Sequence, residues 1–124
     1  MNPSDAELEI LTILWQHAPC SVRFVHEQIS QKKQVGYTTT LKQIQRMLDK
    51  NMVARSEDLD GTHLYTANLK ENAVKKNVID KVMESVFGGS AMKMVMHALG
   101  NNKSSKEEIA ALKKWLDNQE NEQK

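Results

Sequence analysis

At 124 residues the chain has room for one ordinary domain, or for a small domain with an appended association element, and not for a large enzyme core. Hydrophobic residues at 40 % and charged residues at 27 % place it among globular proteins, and seven Met with 5 % aromatics point to aliphatic helix packing. The net charge of +1 hides an asymmetry: residues 31–55 hold Lys32, Lys33, Lys42, Arg46, Lys50 and Arg55 against Asp49, whereas residues 1–30 hold Asp5, Glu7, Glu9 and Glu27 against Arg23.

Positive charge gathered in this way suits a face that meets a polyanion, although a solvated helix face gives the same count. The lone Cys20 excludes an intramolecular disulfide and a Cys-rich metal cage. No apolar run is long enough to span a bilayer, and "MNPSDAELEI" carries acids where a leader would carry bases, so a soluble cytoplasmic protein is expected.

In chain order, "SDAELEILTILWQHAP" predicts a first helix with Ser4 and Glu7 as a capping box, Leu8, Leu11, Leu14 and Trp15 at helical spacing, and a stop before Pro19. "CSVRFVHEQISQKK" predicts a second, capped by Ser21, with Val22, Val25 and Ile29 inward. A third starts near Thr38 as its cap, buries Leu41, Ile44 and Leu48 with Met47 flanking, and turns Thr39, Lys42, Gln43 and Arg46 to the opposite side. Asn51 ends it in the left-handed conformation. "MVARSE" and "HLYTA" then form a hairpin in which Asp60 and Gly61 supply the positive φ angles.

Three short helices followed by a two-stranded hairpin make a winged helix-turn-helix, expected over residues 1–70. From Leu69 on the pattern is helical alone. Val74, Val78, Val82 and Val86 recur one turn apart up to Gly88 and Gly89; "SAMKMVMHALG" is short and apolar; and "SSKEEIAALKKWLDNQ" opens on Ser105 and Glu108. The apolar faces of residues 71–124 exceed what so short a segment hides by itself, which predicts a helical dimerisation domain. Its contacts are expected from Val74, Val78, Val82, Met92, Met96, Ile109, Leu112 and Leu116. The fold class is therefore mainly α, a winged helix joined to dimerising helices.

Catalysis finds no support. His17, His26, His63 and His97 lie on separate segments, no zinc-protease or phosphate-loop motif occurs, and neither metal nor cofactor is expected. The winged helix gives the basic segment a use, because the second helix of a helix-turn-helix enters the major groove while flanking groups grip phosphates; the alternative is a winged-helix adaptor that binds protein and not DNA. Thr38 and Thr39 are short donors at the helix start, Lys42, Gln43 and Arg46 are long donors on the next turns, and Arg55 and His63 are candidates on the wing. The wing loop "SEDLDG" is acidic and ill suited to a phosphate grip.

"SDAELEILTILWQH", "YTTTLKQIQRMLDKNMV" and "THLYTANL", in this order, resemble the penicillinase repressor family of bacteria (BlaI/MecI type, with the copper-responsive CopY group as relatives) over essentially the whole chain. The resemblance implies a homodimeric transcriptional repressor that binds a palindromic double-stranded operator of a resistance operon. It further implies a membrane-bound sensor metalloprotease as partner, which relieves repression by cutting the dimerisation domain. A winged-helix repressor that answers a different signal is the alternative. Thr39, Lys42 and Arg46 would face DNA, and Trp15 would be a core residue. Where members that answer β-lactams carry an Asn-Phe cleavage pair, this chain has His97 and Ala98, so a different sequence rule is expected, with the cut between Met96 and Ser105 beside the flexible connection Gly100, Asn101 and Asn102. With no cysteine after Cys20, the copper cluster of the other branch is excluded.

Overall fold

Local capping chemistry sets the first two helices. The Ser4 hydroxyl accepts the Glu7 N–H at 3.2 Å while the Glu7 carboxylate accepts the Ser4 N–H at 2.8 Å, and this box opens α1 (Asp5–His17). Ser21 accepts the Phe24 N–H at 3.1 Å and opens α2 (Val22–Ser30). The structure, a computed structural model, describes residues 2–101 and 105–122.

Helix α3 (Tyr37–Asp49) departs from expectation in two ways. Its cap is Gly36, which offers no side chain, so Thr38 lies inside the first turn and does not cap. Its buried side is Thr40, Ile44 and Met47, with Leu41 and Leu48 only half-buried. Apolarity alone favoured the leucines. Thr40 can go inside because its hydroxyl meets His26 Nδ1 at 3.1 Å, which removes the cost of burying an unpaired polar group. The helix ends as predicted at Asn51, with φ 61°. The Met52 N–H reaches the Met47 carbonyl at 2.9 Å and the Asn51 N–H the Leu48 carbonyl at 3.0 Å, a Schellman closure.

Strands β1 (Val53–Glu57) and β2 (His63–Ala67) pair antiparallel from Val53 opposite Ala67 to Glu57 opposite His63. In the connecting loop only Gly61 has a positive φ, 83°. Asp60 does not share that role: Asp58 Oδ1 accepts the N–H groups of Asp60 and Thr62 at 3.0 Å, and the Asp60 carboxylate accepts the Thr62 hydroxyl at 2.6 Å. On its other side β2 pairs with Cys20, which exchanges two backbone hydrogen bonds with Tyr65 at 3.0 and 2.7 Å. Burial there pushes the Cys20 thiol pKa up and keeps it an apolar filler.

The core gathers Ile10, Leu11, Leu14, Val25, Ile29, Ile44, Met47, Val53 and Tyr65 from all five elements. Each such side chain contributes about 1.5–3 kcal/mol of burial. Trp15 packs on the edge of this cluster and donates Nε1–H to the Leu69 carbonyl at 2.9 Å, tying the chain after the wing back to α1.

Helices α4 (Glu71–Phe87), α5 (Ala91–Asn101) and α6 (Lys106–Glu122) follow. The chain divides into two compact units between Ile79 and Asp80, inside α4. Val74 belongs to the first unit and is 6 % exposed, so its surface is already used within the single chain and is not free for a second one. Taken by itself, the second unit buries none of its described residues. Met92 and Met96 are 69 % and 64 % exposed; Val82, Ile109 and Leu116 are exposed too, while Leu112, like Val78 of the first unit, is half-buried. Gly88 and Gly89, at φ 59° and 84°, stop α4. Gly100 and Asn101, expected in a flexible connection, are the last residues of α5, and Asn102 lies outside the described residues.

Candidate nucleic-acid interface

With Thr40, Ile44 and Met47 pointing inward, the 100° step of a helix sends Thr38, Lys42, Gln45 and Asp49 along the line farthest from the core. Arg46 and Thr39 stand at one margin of that line, and all six are exposed. Gln43 does not belong to this face. It is half-buried and turned toward α1, where it lines a small cavity with Ala6, Glu9 and Thr39.

Ion pairing then sorts the basic residues. Lys50 Nζ meets Glu7 Oε2 at 3.0 Å and Lys33 Nζ meets Glu9 Oε1 at 2.9 Å, so two of the six cations of the basic segment are neutralised by α1. Lys42, Arg46 and Arg55 make no ion pair with any described residue. Glu7 and Glu9 therefore act on the scaffold, and the cations of the basic segment left without an ion pair to any described residue are Lys42 and Arg46 on the outer face of α3, Arg55 on the wing and Lys32 just after α2.

Arg55 and His63 lie on one face of the hairpin and line a cleft of about 540 Å³ with Ser21, Arg23, Tyr37, Leu41 and Gln45. His63 Nε2 is 3.2 Å from Glu57 Oε1, which occupies the ring before any anion does. At the wing tip, hydrogen bonding with Asp58 and then with Thr62 holds the Asp60 carboxyl down at about 2, so the tip is anionic at neutral pH. Arg23, Tyr37 and Gln45 escape a reading by motif. The signal available was that Arg23 is the one base among residues 1–30 and that Tyr37 directly precedes the threonines.

A winged helix with unpaired cations on its second helix-turn-helix element and an adjoining helical unit without buried residues narrows the choice of family. The penicillinase repressor family model matches residues 3–118. The chain belongs to the penicillinase repressor family. It is similar to the penicillinase repressor of Bacillus licheniformis, 25 % identical over 98 % of this chain and 94 % of that one, and to that of Staphylococcus aureus, 24 % identical over 91 % and 89 %. The transcriptional regulator BlaI of Mycobacterium tuberculosis is 30 % identical over 75 % of this chain and 68 % of its own. Among solved structures, that of Lactococcus lactis ZitR covers all of this chain and 77 % of its own at a TM-score of 0.50 and 16 % identity, a likeness of fold. A penicillinase repressor is a transcriptional repressor and not an enzyme, in keeping with the scattered histidines. Among the described residues of this repressor no helix is long and apolar enough to cross a membrane.

Proposed function

We propose that this repressor binds a palindromic operator of a resistance-type operon as a homodimer, one winged helix to each half-site, and that proteolysis within the second unit releases it. The observation that carries the DNA contact is the ion-pair sorting on α3: Lys42 and Arg46 stand uncommitted on the outer face while Lys33 and Lys50 are tied to carboxylates. Unpaired long donors on the outer face of such a helix, Lys42 in its second turn and Arg46 in its last, suit base edges and phosphates. Thr38 and Thr39 stand beside them at a helix start without a side-chain cap, where an anion is favoured by the N–H groups and the dipole.

The dimer is supported by the second unit, whose described residues have apolar side chains in plenty, none of them more than half-buried. A second copy would cover Val82, Met92, Met96, Ile109, Leu112 and Leu116 and fix two half-sites at one spacing. Cutting that unit leaves each winged helix with its modest single-site affinity, which is how a membrane-bound sensor metalloprotease would relieve repression. His97 and Ala98 lie within α5, so a cut there requires local opening of that helix.

Fluorescence anisotropy on an operator selected from the source genome tests the reading. Lys42→Ala and Arg46→Ala are each expected to weaken binding by about 1–3 kcal/mol with unchanged circular dichroism. Parental affinity in both variants would show that α3 is not the reader.

A further inference from the structure

The cleft between α2, α3 and the wing holds cationic side chains beyond those on the outer line of α3. Arg23, on the first turn of α2, places its guanidinium 5.8 Å from the centroid of the Tyr37 ring and makes no ion pair with any described residue, although Glu27 stands one turn along the same helix. Tyr37 also has a ring partner on α2. The His26 ring meets it edge-on at 5.5 Å and 84°, and His26 is itself fixed between the Thr40 hydroxyl at 3.1 Å and the Ser30 hydroxyl at 3.2 Å. Arg55 enters the same cleft from β1.

An arginine laid on an aromatic face keeps its N–H edge open and loses less freedom when that edge is used. Two such forks in one concave site suit a planar or tetrahedral oxyanion. The carboxylates nearest the wing are otherwise engaged: Glu57 with His63, and Asp58 and Asp60 with their own loop.

We propose that Arg23 and Arg55 close on one backbone phosphate diester of the bound DNA, with Tyr37 as the platform that positions Arg23. This rests on the DNA-binding reading above and adds to it a contact that is blind to sequence. It fixes how α3 enters the groove, while Lys42 and Arg46 discriminate between bases.

Full-length protein is titrated against the selected operator and a scrambled duplex over a range of salt. Arg23→Gln and Arg55→Gln are each expected to weaken both duplexes by the same factor and to lower the slope of log K against log salt by up to about 0.9 per half-site, the weight of one phosphate contact. Lys42→Ala should instead change the ratio between the duplexes. Tyr37→Ala should behave like Arg23→Gln, and Tyr37→Phe, which keeps the ring, like the parent. A neutral methylphosphonate walked along each half-site should find one position that weakens the parent and weakens Arg23→Gln and Arg55→Gln by a smaller factor. An unchanged salt slope in Arg23→Gln, with Lys42→Ala and Arg46→Ala still weakened, overturns the inference and leaves the DNA reading standing. Parental binding in every variant takes the DNA reading down as well. Inorganic phosphate that moves the Arg23 side-chain NMR signals, with no methylphosphonate-sensitive position, assigns the cleft to a free anion and also overturns it.

Discussion

Glu7 joins the scaffold to the recognition helix, and Glu7→Ala tests that link. The carboxylate is 5 % exposed by residue; it accepts the Ser4 N–H at 2.8 Å and Lys50 Nζ at 3.0 Å, at the far end of α3. Loss of the capping interaction costs about 1 kcal/mol. Loss of the pair with half-exposed Lys50, which water can re-solvate, costs about 0.5–1 kcal/mol. Together they predict about 2 kcal/mol, and at roughly 4–8 °C per kcal/mol for a unit of this size, a fall in Tm of about 10 °C. Glu7→Gln keeps an acceptor for Ser4 and should show about half of that.

The pH dependence supplies a second check. The Ser4 N–H first, with help from Lys50, holds the Glu7 carboxyl below its ordinary value of 4.5 against the opposing effect of burial. Because the folded pKa lies below the unfolded one, the stabilisation is present above pH 4.5 and fades as pH falls through the folded value. The difference between parent and Glu7→Gln, measured by thermal unfolding at fixed protein concentration, should therefore shrink between pH 7 and strong acid. A Glu7→Ala protein that melts with the parent, or a gap that does not narrow in acid, would refute the assignment.

Asn51→Ala should lower stability by about 1 kcal/mol, since φ 61° strains an alanine, while Asn51→Gly should not; equal melting of the two variants would count against the left-handed cap. A chain ended at Ile79 should sediment as a folded monomer with much weakened operator binding, whereas one ended at Leu69 loses buried Val74 and should be less stable; a dimer from either would move the interface out of the second unit. Repressor taken from induced cells should show one cut between Met96 and Ser105 by mass spectrometry, and an intact chain under full derepression, or a cut before Ile79, would exclude release by this route.

What the sequence determined by itself was most of what is governed by groups a few residues apart, the exceptions being the cap of α3, which is Gly36 and not Thr38, and the wing turn, where Gly61 has a positive φ and Asp60 does not. The Ser4 and Glu7 box, the Ser21 cap, the stop before Pro19, the left-handed Asn51 and the paired runs of the wing depend on local hydrogen bonds and φ preferences, and they stand where the residues put them. The resemblance of the quoted motifs led to the right family for the same reason, since it rests on their order along the chain. What only tertiary structure decided was which side of each element faces inward and which charges are already answered. Thr40 and Met47 are buried more deeply than Leu41 and Leu48, which pack half-buried against the core, and Thr40 can go inside because His26, fourteen residues away, satisfies its hydroxyl. Gln43 turned toward α1 for the same rotation, and Gly36 took the cap expected of Thr38. Lys50 and Lys33 looked identical to Lys42 in a charge count until Glu7 and Glu9 were brought beside them across the fold. Val74 went the same way, an apolar residue of the expected dimer stripe that the chain buries on its own. Periodicity reports that a helix has an apolar side; the partner that covers it lies far along the sequence, and only the fold brings the two together.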